Sequence, residues 1–128
     1  MNLKSIKNAI KGVIKEKYPD IELAYVFGSY AKGEATPNSD IDIAVLFSQD
    51  DIKKIFKRYL TFMADVAQAL KTDNVDVVLI NDLEDPILLM EIVRFGKTVI
   101  DKNNASTNLY LKALAFYNDY QHWSKIFN

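Results

Sequence analysis

Residues 22–47 read ELAYVFGSYAKGEATPNSDIDIAVLF, and the order of residue types along this stretch decides the fold. The first six residues are rich in strand formers and run straight into Gly28-Ser29, so a strand ends at a glycine turn. A polar stretch containing Gly33, Pro37 and Asn38 follows, with Ser39 at its end. DIDIAVLF, residues 40–47, then alternates before turning continuously apolar, as a strand covered on both faces does.

Downstream, Ile52, Ile55, Phe56, Tyr59, Leu60, Met63, Val66, Ala67 and Leu70 recur at helical spacing and predict a long helix between Asp51 and Leu70. VDVVLI at residues 75–80 reads as a third strand. Two strands joined by a helix form a βαβ unit, so the Asp40 and Val75 strands are expected to be parallel neighbours with a right-handed crossover. Asp85-Pro86 supplies a cap and a first-turn proline for a short helix through Phe95, which Gly96 ends. Lys97–Ile100 is expected to be an edge strand.

Upstream, Leu3, Ile6, Ile10, Val13 and Ile14 define an amphipathic first helix that stops at Tyr18-Pro19. Its interleaved lysines read as a solvated face. A last helix at about residues 106–127 carries Leu109, Tyr110, Leu114, Phe116, Tyr117, Tyr120, Trp123 and Phe127, more aromatic surface than one stripe can hold. Packing on the chain's own sheet and contact with a partner both remain open for it. The expected class is α/β (α+β): a mixed β-sheet with flanking helices.

Composition bounds the function. At 128 residues, with 49% hydrophobic and 26% charged side chains, the chain reads as one compact domain over residues 1–128. A formal net charge of -1 argues against bulk attraction to nucleic acid or anionic lipid. With no Cys and only His122, thiolate sites and imidazole cages are excluded, which leaves oxygen ligands as the available metal chemistry. No window is apolar over a bilayer's length, so a soluble, cytoplasmic protein is expected.

The chemistry concentrates in Gly28-Ser29, ten intervening residues, and Asp40-Ile41-Asp42. Side chains at i and i+2 of a strand share a face, so Asp40 and Asp42 point the same way, about 6 to 7 Å apart. Like charges that close raise a pKa and weaken the fold unless a cation or solvent relieves them. Asp76, at the start of the neighbouring strand, brings a third carboxylate to the same end of the sheet. Mg²⁺ commonly takes a few carboxylates plus substrate phosphates, and two-metal sites hold ions about 3.5 to 4 Å apart. Gly28 lets backbone N–H groups approach an anion, Ser29 adds a hydroxyl donor, and Lys32, one turn further, can neutralise phosphate charge. Glu34 and Glu91 could also approach the site, but they are assigned no role and read as ordinary surface charges.

Alone, a Gly-Ser pair is an ordinary turn, and an Asp-x-Asp pair ordinarily a loop or a calcium contact. Together, at this spacing, the four fixed residues arise by chance in about one sequence of this length in a thousand. The pattern resembles the DNA polymerase beta-like nucleotidyltransferase superfamily. GSYAKGEATPNSDIDIAVLF, with the chain's short length and absence of an appended domain, resembles the minimal nucleotidyltransferase (MntA-like) antitoxins of HEPN/MNT toxin-antitoxin systems.

That resemblance implies that Asp40 and Asp42 bind two Mg²⁺ ions and that Asp76 completes the catalytic-metal site and helps deprotonate the acceptor. It implies that Gly28 and Ser29 hold the triphosphate of ATP, with Lys32 where relatives often have Arg. The implied activity is transfer of AMP to a tyrosine of a HEPN-domain ribonuclease toxin. Two other readings remain: nucleotidyl transfer to a small molecule or RNA, and a non-catalytic module that blocks a toxin by contact.

Overall fold

The computed structural model describes residues 1–48 and 51–127; the side chain of Phe127, one of the aromatics read into the last helix, lies outside the described residues. Helix α1, Leu3–Lys17, begins with a capping box between Asn2 and Ser5 and buries Ile6, Ile10 and Ile14, spaced four apart along one face. It stops at Tyr18, the residue before Pro19. Strand β1, Ile21–Phe27, leads directly into a five-residue helix α2, Gly28–Lys32. Strand β2 is Ile41–Phe47, so Asp40 stands one residue ahead of the ladder rather than within it. Helix α3, Ile52–Leu70, is capped by Asp51 and closed by Lys71 in the left-handed region.

Strand β3, Val75–Leu79, is followed by a 3-10 turn over Ile80–Asp82. Helix α4, Pro86–Phe95, starts on an Asp85 cap that accepts from two backbone N–H groups, and has Pro86 in its first turn. Strand β4, Lys97–Asp101, and helix α5, Ala105–Phe127, complete the order.

The sheet is mixed, with strand order β3-β2-β1-β4. β1 runs antiparallel to β2 and β4, and β2 runs parallel to β3, the arrangement the βαβ pattern implies. Helices cover both faces, which is why β1 and β2 read as nearly continuous apolar runs. One core joins Ile6, Ile10 and Ile14 of α1 with Ile41, Ile43 and Val45 of β2 and Phe62 and Val66 of α3. The other joins Tyr25 and Phe27 of β1 and Ala44 of β2 with Leu89 and Ile92 of α4 and Leu109 and Ala113 of α5.

Two stripes are narrower than their sequence patterns. On α3, Ile52, Phe56 and Leu60 stay 47%, 51% and 49% exposed, while Ile55, Phe62, Val66 and Leu70 are buried. On α5 the buried positions are Ala105, Leu109 and Ala113, and Tyr110, Leu111, Leu114, Tyr120 and Trp123 remain exposed. The helix thus packs on its own sheet with one face and presents an apolar, aromatic face to solvent with the other.

A polar knot secures the back of the first core. Arg58 of α3 grips both carboxylate oxygens of Asp20 at 2.6 Å and lies over the Tyr18 ring, whose hydroxyl donates to Asp65. The Tyr18 ring meets Phe62 edge-on at 5.1 Å. Phe62 is fully buried, and Phe62→Ala is expected to cost about 3 to 5 kcal/mol in urea unfolding. A loss below about 1 kcal/mol would mean that α3 is not seated on the sheet in this way.

Candidate active site at the edge of the sheet

At one end of the sheet β1 finishes while β2 and β3 begin. Phe27 is registered across from Asp42, and Asp42 across from Asp76. Ile41 and Ile43 both lie in the core beneath α1 and α3, so Asp42 between them turns to the opposite face, beneath α4. Val77 fixes Asp76 on that same face by the same alternation. Asp40 shares the parity of Asp42 and is exposed just ahead of the strand. The sheet therefore brings the three predicted carboxylates to one end and one face.

Their electrostatics agree. The Asp42 carboxyl is pushed up from 3.8 to about 6, first by burial and then by the charges of Asp76, Asp40 and Glu91. Glu91, read in the sequence as ordinary surface charge, thus belongs to this cluster. Nothing local marks it: it comes from α4, far along the chain, and only the packing of α4 over β1 and β2 reveals it.

Gly28 is required here twice over. Its φ of 68° lies in the left-handed region, and a Cβ at this position would fall 2.1 Å from Asp42 Oδ2. The missing side chain is what lets the Asp42 carboxylate pack directly against the turn. Ser29 sits in the first turn of α2, and its carbonyl accepts the Glu34 N–H as the helix closes. Lys32 does not reach across to the aspartates. Its ammonium donates to Glu91 Oε1 at 2.9 Å and lies 5.7 Å from the centre of the Phe95 ring, and this hydrogen bond holds its pKa above the usual lysine value.

A site for hard cations fits this arrangement. The donors are all carboxylate oxygens, and burial together with neighbouring negative charge disfavours an unrelieved Asp42 carboxylate. Among the described residues no group of three or more His, Cys, Asp or Glu side chains is arranged to hold a metal ion by itself. Concavity and chemistry do not coincide: a cavity of about 500 Å³ lined by Glu22, Leu46, Asn81, Leu109 and Phe116 lies at the opposite end of the strands.

A mixed sheet with helices on both faces, an aspartate pair entering one strand and a glycine turn beside it define a nucleotidyltransferase. A family model, polymerase beta nucleotidyltransferase, matches residues 8–105. The protein adenylyltransferase MntA of Shewanella oneidensis is 31% identical over 115 residues, 90% of this chain and 79% of that protein. A crystal structure of a toxin-antitoxin with AMP-PNP matches with a TM-score of 0.77 at 28% identity, covering 94% of each chain. A tri-AMPylated HEPN toxin in complex with MNT antitoxin, also from Shewanella oneidensis, matches at 0.72 and 25%, covering 97% of this chain and 93% of that one. The chain belongs to the polymerase beta nucleotidyltransferase family, among relatives that are adenylyltransferases.

The electrostatic load on Asp42 has a measurable consequence. Because its pKa is raised, the neutral form favours the fold: this contribution is complete below 3.8 and is lost as pH rises through about 6. In EDTA at pH 8, Asp42→Asn is expected to be more stable than wild type by about 1 to 2 kcal/mol after solvent screening, with the gap closing below about pH 4. Equal denaturation midpoints at pH 8 would show that the neighbouring carboxylates do not strain Asp42.

Proposed function

We propose that the protein transfers AMP from ATP to a hydroxyl of a partner protein, a tyrosine of a cognate HEPN-domain ribonuclease toxin, and so acts as its antitoxin. The observation that carries this reading is the position of Asp42, registered against Asp76, packed beside Gly28 and with its pKa pushed up to about 6 by burial and then by surrounding carboxylates. The relatives named above supply the adenylyl donor and the toxin as a precedent.

On this reading the chain works in the cytoplasm as a single minimal nucleotidyltransferase domain. No helix among the described residues is long and apolar enough to cross a membrane. Asp40 and Asp42 would hold two Mg²⁺ ions with Asp76 completing one shell, and Mg²⁺ supplies neutralisation of phosphate charge and acidity to a bound hydroxyl. Gly28 and Ser29 bind the triphosphate through backbone N–H groups and the Ser29 hydroxyl, and Lys32 screens its charge. The acceptor oxygen attacks the α phosphorus in line, the bond to the bridging oxygen breaks, and pyrophosphate leaves. Asp76 takes the hydroxyl proton. The exposed Tyr110, Leu111, Leu114 and Tyr120 face of α5 gives the acceptor protein a surface to dock on.

Replacing both Asp40 and Asp42 with Asn is expected to lower Mg²⁺-dependent AMP transfer by about a thousandfold or more, several kcal/mol of barrier. Mass spectrometry of the co-expressed toxin reads the added AMP units directly. A double variant that still protected cells as well as wild type would establish neutralisation by contact, and transfer to RNA or a small molecule with none to the toxin would redirect the acceptor.

A further inference from the structure

Glu91 comes to the active edge from α4, while every aspartate there comes from a strand or its approach. Its Oε1 accepts from Lys32 Nζ at 2.9 Å, and its charge reaches Asp42. One turn further along α4, Phe95 offers its ring to the same ammonium at 5.7 Å. A carboxylate at i and a ring at i+4 thus hold one cation from one face of a helix.

The pair does little for stability, because its two side chains are 38% and 37% exposed and water screens them. Its effect is on geometry. A free lysine stem samples many rotamers, whereas this one is fixed between α2, the helix that follows the Gly28–Ser29 turn, and α4. An ammonium carries three donors. Glu91 occupies one of them through Oε1, which leaves donors for phosphate oxygens without breaking the pair. Protein kinases, on an unrelated fold, hold a phosphate-binding lysine with a helix glutamate in the same manner.

We infer that Glu91 is a positioning residue for the nucleotide: by tethering Lys32 between α2 and α4 it presents the ammonium to the triphosphate at Gly28–Ser29 without touching the nucleotide itself. This rests on the proposed assignment of the triphosphate to that turn. In nucleotide binding Glu91 therefore acts through Lys32, apart from the charge it adds at Asp42.

The test is calorimetric binding of AMP-PNP with Mg²⁺ to the full chain, alongside steady-state AMP transfer. Glu91→Ala is expected to weaken AMP-PNP binding and raise KM for ATP by about five- to tenfold, with kcat changed by less than about twofold. Lys32→Met should weaken binding to a similar extent, and adding Glu91→Ala to it should change affinity by less than about twofold. Glu91→Gln, which keeps an acceptor, should lose only about two- to threefold. Unfolding midpoints of the Glu91 variants should stay close to wild type.

A Glu91→Ala protein that binds AMP-PNP as tightly as wild type, or more tightly, would overturn the inference. So would a Glu91 effect that persists undiminished in the Lys32→Met background, since Glu91 would then act on the site directly. If wild type shows this coupling in AMP-PNP binding yet transfers no AMP, the proposed reaction fails while the role of Glu91 stands.

Discussion

The burial of Asp42 among other carboxylates at the start of β2 is the constraint around which the rest of this structure is arranged. The parallel ladder sets Asp42 against Asp76, and the antiparallel one sets the end of β1 beside both. Slipping either ladder by one residue would turn the aspartates into the apolar layer beneath α1 and α3 and move Ile41 and Ile43 to the other face. The buried isoleucines thus fix the register that the charges alone would resist. Hydrophobic packing elsewhere in the domain offsets the cost of holding those charges together at one edge.

Charge at that edge is sorted by strand. The aspartates enter from the β2 and β3 side, while Lys32 stands on the β1 side, paired with the Glu91 carboxylate of α4. A glycine separates the two regions, because any Cβ there would collide with Asp42.

Much of this was legible in the sequence because it depends on local rules. The Asp85-Pro86 cap, the four-residue spacing of Ile6, Ile10 and Ile14, and the strand ending at Gly28 are set by near neighbours. The parallel adjacency of the strands bearing Asp42 and Asp76 followed from one topological rule about strands joined by a helix, whereas their register did not. What escaped depends on how elements lean on one another. Periodicity assigned Ile52, Phe56 and Leu60 to the α3 core stripe, yet α3 rolls so that Phe62 and Val66 face the sheet and those three do not. Glu91 and Lys32 are 59 positions apart, and no spacing rule connects them before α4 is laid over the sheet. Asp40 falls just outside the strand because ladder hydrogen bonds, not side-chain type, set the boundary.

The last helix is anchored unevenly. Ala105, Leu109 and Ala113 are buried, whereas from Asn118 onward no described side chain is. Those last ten helical residues extend about 15 Å, and Tyr120, Trp123 and Ile126 along them stay 43%, 56% and 55% exposed. Heat or denaturant should therefore unwind this tip before the sheet gives way, a separate low-stability unit at the end of an otherwise cooperative domain. A molecule bound along its apolar side would merge the two transitions into one, so the sharpness of melting would report how fully that side is occupied.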